Sequence, residues 1–150
     1  MLKIKAIGLK LFRAKEALVI LGWGTSLANL AVTAVAHGVL VPQAEYYSEA
    51  TTSQIGLLLF ALYYAGVFAV SFLSGLVLRS ISTAMLGFFC AYIVGLLLTA
   101  LILDLPVITG FLPQTVEANL ATGIIFTAFF PFALIVGLMG ALLGAAPADL

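Results

Sequence analysis

Residues Ala17 to Val41, ALVILGWGTSLANLAVTAVAHGVLV, contain no Asp, Glu, Lys or Arg. At roughly 25 residues the run exceeds the ~20 that a helix needs to cross the hydrocarbon core of a bilayer. Lipid offers no hydrogen bonds, so each backbone N–H and C=O in such a run must be paired within the protein. A helix does this locally, and the run lacks the period-two alternation of a barrel strand. Three more runs are long enough to span: 55–78, 84–103 and roughly 120–144. Charged residues make up 8% of the chain, against about 25% in an average soluble domain. The expected fold is all-α: one integral membrane domain over 1–150, a four-helix bundle built from two transmembrane hairpins.

Charge placement orients the chain. All the basic residues are Lys3, Lys5, Lys10, Arg13, Lys15 and Arg79. Cytoplasmic flanks carry the Lys/Arg excess, so the N-terminus is expected inside the cytoplasmic membrane, as are Arg79 and the C-terminus. Glu45, Glu49, Asp104 and Glu117 then fall in two outer loops. Residues 1–16 place Ile4, Ile7, Leu11, Ala14 and Leu18 at helical spacing, predicting a short amphipathic helix at the membrane surface. A basic start, an apolar run and Ala34-Val35-Ala36 imitate a secretory leader, but the run is too long for one and is read as a retained span. Trp23 is expected near the inner interface, and Tyr46 and Tyr47 at the outer one. Pro106, Gly110 and Pro113 predict a non-helical connection from Asp104 onward.

Small residues let membrane helices approach closely. Ala133, Gly137, Gly140 and Gly144 share one face of the fourth span, the last two as GxxxG. Gly87, Ala91, Gly95 and Thr99 do so in the third, and Gly22, Ser26, Asn29, Thr33 and Ala36 in the first. Pro131 cannot donate to the carbonyl of Thr127, and predicts a kink among Phe126, Phe129, Phe130 and Phe132.

Ionisable groups inside a span mark proton and ion paths, and the predicted spans have no Asp, Glu, Lys or Arg. A rotary-ring proteolipid needs a mid-membrane carboxylate. A haem held by two histidines needs more than the single His37. Cys90 stands alone, so no disulfide forms within the chain. Asn29, Tyr64 and Tyr92 fall at similar depth, and their polar groups predict a hydrogen-bonded cluster. His37, Glu45 and Glu49 form a second candidate site on the outer side, with an interfacial histidine bonded to a backbone carbonyl or loop carboxylate as its simpler form. No catalytic constellation and no nucleic-acid-binding patch is present. The chain thus reads as a non-enzymatic accessory subunit of a larger membrane complex, with an energy-transducing or respiratory assembly as host. Other subunits and bound lipids are its partners, and it has no cofactor of its own. The alternative is a small homo-oligomeric transporter or channel, with Asn29, Thr33, His37, Ser71 and Ser74 along a polar path.

Overall fold

The computed structural model describes residues 14–37, 39, 54–110, 123 and 125–149, and their regular structure is helical throughout. Helix α1 spans Ala14–Ala36, α2 Gln54–Leu78, α3 Ile81–Ile108 and α4 Phe132–Asp149. Residues 125–129 are also helical and lead into α4, so the fourth apolar segment runs Ile125–Pro147. Among the described residues, four helices are long and apolar enough to cross a membrane. The chain is a multi-pass membrane helix bundle. Residues 1–13 of the amphipathic helix expected over 1–16, and Tyr46 and Tyr47, lie outside the described residues.

The helix ends differ from the sequence expectation for local reasons. α1, Ala14–Ala36, stops short of Val41. The amide of Val39 donates to Ala34 O at 2.9 Å, the six-to-one bond of a Schellman cap. α3 begins at Ile81 and continues through Pro106 to Ile108, so the predicted non-helical connection starts later. Proline removes one donor there, while Thr109 closes the helix end. Its amide reaches Leu105 O at 3.0 Å and its hydroxyl reaches the same carbonyl at 2.8 Å. Gly110 then turns left-handed, with φ +78°, a conformation open to a residue without Cβ.

Arg79 and Ser80 alone join α2 to α3. The Arg79 amide bonds Gly75 O at 3.1 Å and φ is +53°, a left-handed helix stop adopted by a non-glycine. Ser80 O accepts the first bond of α3, from the Ala84 amide at 2.8 Å. The turn is therefore one stop and one start, with nothing between.

Packing does not follow chain order. The most intimate pairs are α2 with α4 and α1 with α3, each a parallel pair, while α2 and α3 touch little. The helices go round the bundle as α1, α3, α4, α2. Two sequential hairpins are present, but the tight contacts run between them. Small residues decide this. A Cβ added at Gly24 would lie 2.8 Å from Ala91 O, and one at Gly95 would lie 3.1 Å from Gly24 O. On the other pair, a Cβ at Gly140 would lie 2.7 Å from Phe68 O. At Gly144 and Gly75 it would overlap the backbone of Phe72 and Ala141. The glycine face of the fourth span is thus used inside the chain, against α2.

Trp23 is 1% exposed, which corrects the interfacial position expected of it. It packs on Phe88 with ring centroids 5.6 Å apart, and its Nε1 donates to Ser71 Oγ at 3.2 Å. Gly137, against Phe88 and Ser71 in turn, leaves the room that these side chains fill.

Candidate functional site

Three places in the bundle concentrate polar atoms. The first is the interruption of the fourth segment. Phe130 and Pro131 are not helical, and the peptide between them is cis. The chain breaks where a kink was expected, since proline has no N–H to continue the ladder. A broken helix exposes carbonyls that must find donors in a dry interior. Tyr63 Oη on α2 donates to Ala128 O at 2.7 Å. Tyr92 Oη on α3 donates to Phe129 O, and its ring meets Phe129 edge-on at 5.3 Å. Two tyrosines from different helices thus clamp one break. Of the surrounding phenylalanines only Phe129 is buried, while Phe126, Phe130 and Phe132 face outward.

Replacing either hydroxyl tests this clamp. Tyr63→Phe and Tyr92→Phe should each lower bundle stability by about 1 kcal/mol, the size of an interhelical hydrogen bond in a membrane protein. The double variant should fall by more than the sum if the two bonds hold the same break. Reversible unfolding in mixed micelles reads both effects, and unchanged midpoints would show that the carbonyls find other donors.

The second place is the Trp23–Ser71 bond, in the layer nearer the Arg79 end. Between these two layers lies a narrow space bordered by Leu27, Val67, Phe88 and Ala133 with no room for a water molecule.

The third lies at the opposite end of α1. A cleft of about 180 Å³ opens between α1 and α2, walled by Leu30, Ala34, Val39, Leu59 and Leu62, with Thr33, His37 and Tyr63 as its polar members. His37 Nδ1 is 2.8 Å from Thr33 O. A carbonyl only accepts, so Nδ1 carries a proton, and in the neutral ring Nε2 remains an acceptor. The cleft can hold an apolar chain beside one hydrogen-bond acceptor. Among the described residues no three His, Cys, Asp or Glu side chains converge. Glu45 and Glu49, expected beside His37, lie outside the described residues.

The expected cluster of Asn29, Tyr64 and Tyr92 does not form. Asn29 is on the outward face of α1, and Tyr92 bonds Phe129 instead. Tyr64, half-buried, makes edge contacts with Phe60, Tyr63 and Phe132. The reason is rotational: the side of α1 with Trp23, Leu27, Ala31 and Ala34 is wholly buried, and Asn29 does not lie on it. Nor do the residues of the imagined polar path converge within one chain. Ser71 is fully buried, whereas Asn29, Thr33 and His37 are exposed on α1. Nothing in the sequence singles out Tyr63, and Ser71, expected on the polar path, accepts from Trp23 instead. The available signal was Pro131, which takes the donor from Thr127 O; the carbonyls that the tyrosines reach, Ala128 and Phe129, follow it in the break.

Gly140 and Gly144 serve the α2–α4 contact, while Gly137 makes room for Phe88 of α3 and Ser71 of α2. Comparison with protein-family models, with curated proteins and with solved structures finds no match to this chain.

Proposed function

We propose that this chain is a non-catalytic structural subunit of a larger membrane assembly, most simply an energy-transducing one such as a respiratory complex. The reading rests on one observation. Among the described residues the buried polar side chains are engaged within the protein: Trp23 with Ser71, Tyr63 with Ala128 and Tyr92 with Phe129 join different helices, and Thr99 bonds Gly95 O of its own helix. A transporter or enzyme needs polar groups held ready for a substrate, with water or space beside them. Here the outer surface is broad and apolar, with Leu57, Leu62, Leu97, Ile93 and Met139 among the exposed residues, suited to lipids and neighbouring helices.

In this reading the protein sits in the cytoplasmic membrane with both termini inside. Lys15 and Arg79 share one end of the bundle, in keeping with the positive-inside rule. The transporter reading retains one supporting observation: Asn29, Thr33 and His37 are all exposed along α1, so a polar path would have to run between copies. Gentle extraction at native abundance, blue-native electrophoresis and mass spectrometry of the band separate the two. Co-migration with other subunits at fixed stoichiometry is expected. A band holding this chain alone would overturn the accessory role.

A further inference from the structure

We infer that the outward face of α1 docks against α1 of a second copy of this chain, with reciprocal side-chain hydrogen bonds between the two Asn29 amides. The inference goes beyond the accessory role and does not depend on it.

Asn29 sits deep in the membrane. Ile20 lies against Gly87, Gly24 against Ala91, and Leu27 against Gly95. This parallel register sets Asn29 level with Leu96 and Leu97, near the middle of the segment Ile81–Pro106. Its side chain is exposed, and among the described residues it has no hydrogen-bond partner. An amide facing hydrocarbon without a partner is costly. The neighbouring hydroxyls on this side are satisfied locally, Thr25 by Leu21 O at 2.7 Å and Ser26 by Gly22 O at 2.8 Å.

Gly22 is the second unexplained residue of the face. Gly24, Gly75, Gly95 and Gly144 each meet a neighbouring helix, but a Cβ at Gly22 would meet nothing within 4 Å. Glycine weakens a helix relative to alanine, and within the chain nothing offsets that at Gly22. Gly22 and Asn29 are two turns apart, and Leu18, Thr25 and Val32 fall between the repeats to complete a heptad seam. A lone asparagine on such a seam fixes register by pairing with its counterpart.

The occupant follows from topology. Two copies inserted in the same direction present α1 in parallel, with Asn29 at the same depth. Each carboxamide has both donors and an acceptor, so the pair satisfies itself about a twofold axis. A different protein would need a polar group at that same depth by coincidence.

The test uses the full chain, fluorescently tagged, in phosphatidylcholine–phosphatidylglycerol vesicles over a range of protein-to-lipid ratios. Single-molecule photobleaching should show dimers, and Asn29→Leu should raise the dissociation density about tenfold, the loss of interhelical polar bonds worth roughly one decade. Asn29→Gln should retain much of the association. Gly22→Ile should weaken it independently, while Leu101→Ala, on the exposed side of α3, should not. Unchanged Trp23 emission certifies the fold of each variant. Disulfide trapping in a Cys90→Ala background should join Thr25→Cys but not Leu101→Cys. A monomer at every density, or a dimer indifferent to Asn29→Leu and Gly22→Ile, would overturn the inference. A native complex with one copy of the chain would also count against the pair while leaving the accessory role standing. A native band of two copies alone would do the reverse.

Discussion

Gly144→Val should separate α2 from α4 and lower bundle stability by about 3 kcal/mol, the upper part of the range for overpacking a tight interior. A Cβ at Gly144 overlaps the carbonyl of Phe72. That atom is backbone, so it moves only if α2 moves. Gly75→Val should act similarly through Ala141, on the opposite side of the same contact. Helix association in lipid depends on close packing, because lipid tails are as apolar as the side chains they replace. Displacing the pair therefore removes its main stabilisation. Gly22→Ala is the internal control. It meets nothing and should leave the unfolding midpoint of the monomer level or slightly raised, since alanine favours helix over glycine. Reversible denaturation in mixed micelles measures all three. Equal midpoints for Gly144→Val and the unmodified protein would mean that the α2–α4 contact is wrongly placed.

The second large effect is expected at Trp23. Its side chain fills the centre of the α1, α2 and α3 contact at 1% exposure. Trp23→Ala leaves a cavity that the surrounding helices close only in part, at about 3 kcal/mol. Trp23→Phe keeps most of the volume and loses the bond to Ser71, at about 1 kcal/mol. Ser71→Ala in combination with Trp23→Phe should cost little more than either alone, because both remove the same bond. The chain has a single tryptophan, so its fluorescence reports on this position directly. Emission should be short in wavelength and resist quenching by brominated lipid. Strong quenching would place the indole at the lipid face and remove the premise of the substitution series.

Much of the architecture was legible in the sequence. Each of the apolar runs forms a helix over most of its described residues, the fourth interrupted at Phe130 and Pro131, and the expected span 55–78 meets the observed Gln54–Leu78 almost end to end. Gly87, Ala91, Gly95 and Thr99 all lie inward, as do Ala133, Gly137, Gly140 and Gly144. Spacing of small residues marks a face well when a helix has one such face. α1 has two: Gly24, Ala28 and Ala31 pack inward, while Gly22, Asn29 and Thr33 point outward. Polarity drew attention to the second, and burial belongs to the first. The proline break shows a related gap. Pro131 announces an interruption of the ladder at Thr127 O, but which carbonyls the break frees and which tyrosine reaches them depend on the packing and rotation of α2 and α3.

Hydrophobic length determined the helices on its own, since backbone bonding in lipid is local and admits few alternatives. The sequence by itself also determined which ends carry positive charge and where proline must interrupt the ladder. Only the tertiary structure decided that α1 pairs with α3 and α2 with α4, that Trp23 is interior, and that Asn29 is not. Those outcomes turn on how each helix is rotated and which neighbour it meets. Rotation is set by the fit of glycine notches to opposing backbones, a property of pairs of helices that no single stretch of sequence contains.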